Sequence, residues 1–246
     1  MTKFLSVSYG TVCYLIFLGT FLYAVGFVGN FLVPKTIDTG PVVPLAEALA
    51  VNVLLLGLFA VQHSVMARPA FKRWWTRTVP PHLERSTYVL ASSLVLLLLF
   101  WLWRPMPGAV WAVGPPVTAA LWVVFGFGWV VVLVSTFLID HFDLFGLRQV
   151  VLHARGGAYT TPPFRVRGLY RVVRHPIMLG FLIAFWAAPT MTWGHLLFAG
   201  MTTAYILVGV WLEERDLKLT IGAAYGEYRR RVGKFVPRFG GGRSAD

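Results

Sequence analysis

Six apolar runs divide this chain, at about Val7 to Val33, Pro44 to Ala67, Tyr88 to Trp103, Pro116 to Ile139, Pro176 to Ala188 and Trp193 to Leu212. Most are as long as a bilayer is thick when coiled as helices. Inside hydrocarbon no water can satisfy a backbone N–H or C=O, so a segment of this kind crosses as a helix that satisfies its own. The composition agrees: 57% of the 246 residues are hydrophobic and only 13% are charged. The sequence therefore predicts an all-α integral membrane protein with about six membrane helices. The first run is too long for the apolar core of a signal peptide and is expected to be retained. No internal repeat or linker separates a soluble unit, so residues 1–246 read as a single membrane domain.

Charge sets the expected topology. Five basic residues (Arg68, Lys72, Arg73, Arg77, Arg85) against one acid (Glu84) lie between the second and third runs, and six arginines against two aspartates between the fourth and fifth. Eight Lys or Arg against five Asp or Glu follow residue 212. The alternate connections are nearly neutral: Lys35 and Asp38 cancel, and Arg104 stands alone. Basic loops stay in the cytoplasm, so both termini are expected there. The net charge of +12 is then accounted for by topology and attraction to anionic lipid, and nucleic acid is not an expected partner. The sole cysteine, Cys13, lies within the first run, which excludes an internal disulfide and a cysteine metal centre; no metal site is expected.

The fifth run is too short to cross. Pro176 to Pro189 would be about 21 Å long as a helix against a hydrocarbon core of about 30 Å. It is expected to form a hairpin with the sixth run, its Arg174-His175-Pro176 foot lying in a cavity open to the cytoplasm. Proline suits a first helical position, so the foot offers free N–H groups and a positive dipole end, and Arg174 adds a planar cationic fork. A small ligand bearing a carboxylate would suit it. The sixth run ends at Glu213-Glu214, acids able to accept from ribose hydroxyls or to pair with a cation. Tyr225, Tyr228 and Arg229-Arg230-Arg231 then predict a short amphipathic cytoplasmic helix whose aromatic face closes over a flat ring. The long polar connection 140–173 is the kind that serves as a lid or binding loop.

Arg174-His175-Pro176, Gly180, Glu213-Glu214, Tyr225, Tyr228 and Pro237 together resemble the motif of the isoprenylcysteine carboxyl methyltransferase and phospholipid methyltransferase superfamily, over roughly residues 165 to 237. Met178 departs, standing where much of that superfamily has tyrosine. The stretches Gln62 to Arg68, Glu84 to Tyr88, Asp140 to Leu147 and Leu212 to Leu217 are similar to one bacterial branch, the methanethiol S-methyltransferases and their NnrU-type relatives. The resemblance implies S-adenosylmethionine as cofactor, held by Tyr170, Arg174, His175, Pro176, Gly180, Glu213, Glu214, Tyr225 and Tyr228. It also implies a small thiol substrate, dimethyl sulfide as product, and a multi-pass place in the bacterial inner membrane.

Methylating a thiol at neutral pH favours a base, because an unactivated alkyl thiol is mostly protonated there. His141 and Asp143 are the candidates, with Asp140 orienting the imidazole. The same residues would also suit a solvated helix end. Gln62 and His63, polar residues inside the second run, read equally as a buried pair or as a substrate-pocket contact. Two rival functions stand beside this one. One is a methyltransferase acting on a lipid, quinone or isoprenylcysteine-type substrate. The other is a haem-binding or transport protein using His63, His141 and His175.

Overall fold

A computed structural model describes residues 2–238. Five helices are long and apolar enough to cross a bilayer: α1 (Lys3–Gly29), α2 (Leu45–Ala67), α4 (Pro81–Leu102), α5 (Val117–Ile139) and α9 (Trp193–Ile221). Even α4, with 22 residues, is about 33 Å long, enough for the hydrocarbon core. Between them lie α3 (Pro69–Trp75), α6 (His141–Leu144), α7 (Leu147–Ala154), a 3-10 turn at Gly168–Arg171, α8 (Pro176–Trp186) and α10 (Ala223–Arg231). The apolar fifth run forms an 11-residue helix, α8, about 16 Å long and short of a full crossing. The fold is the expected all-α membrane protein, with five full-length helices and one short one.

Local chemistry sets the boundaries. Thr2 caps α1 through its hydroxyl, and Asn30 ends it in the left-handed region at φ 62°. Arg68 ends α2 in an extended conformation because Pro69 follows. Pro81 opens α4 seven residues before the apolar run begins, since its first turns carry His82, Glu84 and Arg85 and so do not register as apolar. In the same way α9 runs nine residues past Leu212 on good helix formers such as Glu213, Glu214, Arg215 and Lys218. The Glu213-Glu214 pair therefore sits inside a helix. Gly222, at φ 69°, breaks α9 from α10.

Contacts between connections sort the two ends of the bundle. At one end β1 (Ala109–Ala112) pairs antiparallel with β2 (Thr190–Thr192). There the Trp103 indole donates to Ile37 O, and the Thr192 hydroxyl donates to Asp38. At the other end Ser6 meets His82, and Val173 bridges Gly233. The N-terminus, both arginine-rich connections and α10 thus share one end. The core is aromatic, built from Phe27, Phe100, Trp103, Trp129, Phe185 and Phe198. Around it, large apolar side chains face outward; Leu54 and Val123 are each 72% exposed, which only a lipid surround makes tolerable.

Helices α5 and α8 cross at glycines. A Cβ on Gly180 would stand 2.7 Å from Gly128 O, and one on Gly128 would stand 2.7 Å from Ala184 N. Two backbones meet there with no room for a side chain on either.

Candidate active site

The foot of the α8–α9 hairpin is stapled to the segment after α10. Arg174 N–H donates to Gly233 O at 2.8 Å, and His175 N–H donates to Lys234 O at 3.3 Å. Pro176, fully buried, then starts α8. The Arg174 guanidinium reaches Glu214 Oε1 twice, from Nε at 3.0 Å and Nη2 at 2.8 Å, while its Nη1 donates to the carbonyls of Arg229 and Val232. His175 Nε2 lies 3.0 Å from the same Glu214 oxygen, and its Nδ1 lies 3.5 Å from Glu213 Oε2. Arg174, His175 and Glu214 are 6–7% exposed. A buried cation with a buried carboxylate is tolerable because each neutralises the other and further hydrogen bonds fill their remaining positions.

This geometry changes how the motif reads. The guanidinium expected to await a ligand's carboxylate is fully engaged with Glu214 and two backbone carbonyls. Glu213 is the acid open to a visitor, its side chain 48% exposed. Gly180 lies in the α5–α8 crossing rather than beside a ligand-sized space.

Aromatic residues cover the foot. The Tyr228 hydroxyl donates to Tyr170 O at 2.7 Å, and Phe164 packs edge-on against Tyr225 and Tyr228 at 6.2 and 5.5 Å between ring centroids. Val166, Leu217 and Ile221 complete this cluster. Burial raises all three phenols, Tyr228 to about 12 and Tyr170 and Tyr225 higher, so each stays a neutral donor. The Tyr225 hydroxyl is buried and has no partner among the described residues. Such an orphan donor is uncommon.

A second cluster lies where α5 meets the long connection. His141, 5% exposed, is held by Thr136 Oγ1 at Nδ1 (2.8 Å) and the Tyr14 hydroxyl at Nε2 (2.9 Å), with Phe137 stacked on its ring at 4.2 Å. Burial lowers its pKa, so the imidazole is neutral at neutral pH. Asp140 does not touch it; its carboxylate accepts Asp143 N–H and caps α6. Asp143 pairs with Arg148 at 2.9 Å and accepts from the Tyr159 hydroxyl at 3.2 Å. Asp140 and His141 line a cleft of about 390 Å³ whose other wall is Pro162, Pro163, Arg165 and Arg167. The cleft adjoins the hairpin foot, since Gly168 packs on Leu138 and the Tyr170 hydroxyl approaches Ser135 O.

His63 and Gln62 belong to a third cluster, joining α2, α4 and α9. His63 Nε2 meets the Tyr88 hydroxyl at 2.8 Å and its Nδ1 meets Ser92 Oγ at 3.2 Å. Gln62 Nε2 donates to Ser92, while its Oε1 is buried with no partner among the described residues. The three histidines weighed as haem ligands thus sit in three separate hydrogen-bonded sets. Among the described residues no group of three or more His, Cys, Asp or Glu could hold a metal. Tyr14, Tyr88, Ser92 and Thr136 escaped the sequence reading. The available signal was their polarity inside otherwise apolar helices.

Residues 51–216 match the model of the family described as NnrU protein. The chain is 57% identical to a methanethiol S-methyltransferase of Mycobacterium tuberculosis, over 96% of this chain and 98% of that protein. It is 56% identical to methanethiol S-methyltransferase 2 of Bradyrhizobium diazoefficiens, over 97% and 92%, and 51% identical to the methanethiol S-methyltransferase of Crocosphaera subtropica, over 94% and 91%. No solved structure matches it significantly. The family match spans the helices that carry His63, His141 and the hairpin foot up to Asp216, the identity covers most of α1 and of the C-terminal segment as well, and this chain belongs to the NnrU family.

Proposed function

We propose that this protein methylates methanethiol with S-adenosylmethionine as donor, releasing dimethyl sulfide, S-adenosylhomocysteine and a proton, in the bacterial inner membrane with both termini cytoplasmic. The observation that carries the reading is identity of 51–57% along nearly the whole chain to proteins named methanethiol S-methyltransferase. The hairpin foot supplies the donor site. Its residues fit an adenosyl sulfonium: the exposed Phe164 ring, backed by the buried Tyr225 and Tyr228, offers flat apolar surface, and the open Glu213 carboxylate can accept from ribose hydroxyls. The orphan Tyr225 hydroxyl can donate to an acceptor of the ligand, and the half-exposed Glu213 places negative potential beside a cation.

When bound, the donor supplies an electrophilic methyl group. The chain's own residues align the thiol sulfur, exclude water and take the proton. Neutral His141 is the proton acceptor in this reading, reached from the side of Tyr14, whose hydroxyl lies 2.9 Å from Nε2. Asp140 caps the helix that carries it, and Asp143 fastens the neighbouring loop through Arg148 and Tyr159.

The test is headspace gas chromatography of the purified protein given methanethiol and S-adenosylmethionine. Dimethyl sulfide above the no-enzyme control is expected, and its absence from folded, donor-binding protein overturns the reading. His141→Asn should lower turnover at pH 7 by about 10²-fold or more, an effect that shrinks as rising pH supplies free thiolate. An equal loss at every pH would make His141 a positioning residue instead.

A further inference from the structure

We propose that the cleft between the cytoplasmic end of α5 and residues 162–167 binds the phosphate of an anionic phospholipid. Its walls carry Asp140 and three arginines, Arg148, Arg165 and Arg167. Arg148 is neutralised by Asp143 at 2.9 Å, and Asp140 is the one acid among the lining residues. The Asp140 carboxylate already accepts Asp143 N–H. Arg165 and Arg167 have no ion pair and no side-chain hydrogen bond among the described residues, so the cleft keeps a net positive charge. Guanidinium groups match phosphate oxygens in geometry as well as in sign.

What makes the occupant a lipid rather than a free anion is the surface beside the arginines. Phe137, Ile139 and Phe142 border the same cleft and are 56%, 50% and 51% exposed. Phe137 and Ile139 stand in the last turn of the membrane helix α5 and Phe142 in α6 just beyond it, where acyl chains begin, so one molecule can place its phosphate among the arginines and its chains against the apolar side chains. The volume, about 390 Å³, admits a headgroup. The loop is already pinned above the cleft, Arg148 Nη1 donating to Thr160 O at 3.1 Å, so a bound lipid would need little rearrangement. A lipid seated there would also cover the exposed edge of the His141 pocket against bulk water.

The experiment uses the full-length protein, delipidated in detergent and titrated with phosphatidylglycerol or phosphatidylcholine, with bound lipid read by native mass spectrometry. Tighter binding of phosphatidylglycerol is expected. Arg165→Gln with Arg167→Gln should weaken it by about 30-fold, roughly fivefold for each cation removed beside an anionic headgroup, and should leave phosphatidylcholine binding unchanged. Arg165→Lys with Arg167→Lys should keep most of the binding, and unchanged thermal unfolding of both doubles shows that the fold is intact. Arg155→Gln with Arg215→Gln removes the same charge from the same end of the bundle outside the cleft, and should change little. An equal loss in that control would mean diffuse attraction and would overturn the site. Displacement of the lipid by soluble glycerol phosphate at equal concentration would show a free-anion site and overturn the lipid assignment. Calorimetric titration with S-adenosylmethionine is expected to be unchanged in the glutamine double; a parallel loss would place the cleft in the donor site and sink the proposal.

Discussion

Glu214 ties the hairpin foot together, because one oxygen accepts from Arg174 and faces His175 while the other lies 3.6 Å from Arg229. Glu214→Gln would leave a buried guanidinium without its anion, and breaking a buried pair on one side costs about 3–5 kcal/mol. A large fall in thermal unfolding temperature is therefore expected in detergent. Glu213→Gln, at the half-exposed neighbour, should unfold normally and weaken donor binding instead. A Glu214→Gln protein of normal stability would refute the structural role of the cluster. His141 gives a second test at this scale. Its folded pKa lies below that of a free histidine, so between the two values the unfolded chain binds more protons and stability rises with pH. The wild type should lose stability as pH falls below about 6.5, and His141→Gln, which can still bond Tyr14 and Thr136, should lose less over that window. Much of this was readable in the sequence: Arg174, His175, Glu213, Glu214 and His141 all stood out as ionisable residues at membrane ends. Their partners did not. Whether Arg174 meets a ligand or Glu214 depends on how α9 is rotated about its axis, and a separation of 40 positions in sequence leaves that open.

At the scale of elements, the short α8 is positioned by α5 through contact of backbones. Gly180→Ala would put a methyl 2.7 Å from Gly128 O and 2.8 Å from Val132 N, atoms that cannot swing aside. Overpacking of this kind costs about 1–3 kcal/mol. Gly126→Ala, two residues before Gly128 on α5, would meet nothing within 4 Å and should be neutral or mildly stabilising, since alanine is the better helix former. Similar unfolding of the two variants would mean that the crossing is looser than the structure has it. The length of α8 was legible from Pro176 and Pro189, and its pairing with α9 from the short turn between them. The use of Gly180 was not legible, because a glycine beside a ligand and a glycine beside a helix look alike until the second helix is known. Helix ends were misjudged where charged turns extend an apolar core, at Pro81 and beyond Leu212, since hydropathy records the solvent around a helix and not its hydrogen bonds.

Across the whole molecule, the basic connections and the contacts between loops give the same division by independent routes. Charge groups residues 68–85, 140–174 and the C-terminal segment on one side, and the structure ties those segments together through Ser6 with His82, Arg68 with Asp216 and Val173 with Gly233. The neutral connections meet at the opposite end, through Trp103 with Ile37 and β1 with β2. Five full crossings alone would put the termini on opposite sides. The start of α1 and helix α10 lie at one end of the bundle because α8 and α9 leave and return there, the chain turning back at Ala187 to Thr192 although α8 is only 11 residues long. The short α8 is completed at its foot by the buried Arg174-His175-Glu214 cluster, in which the cation and the carboxylate neutralise each other. Positive-inside bias then sets which end faces the cytoplasm. A fluorescent protein fused after residue 246 should fold and fluoresce in the cell, and alkaline phosphatase fused there should stay inactive. A single cysteine placed at Gly114 in a Cys13→Ala background should react with an impermeant thiol reagent added from outside, whereas one at Gly157 should react only after the membrane is opened. Labelling of Gly157 from outside, or of both positions equally in sealed cells, would reverse the orientation and remove the argument that the donor site opens to the cytoplasm.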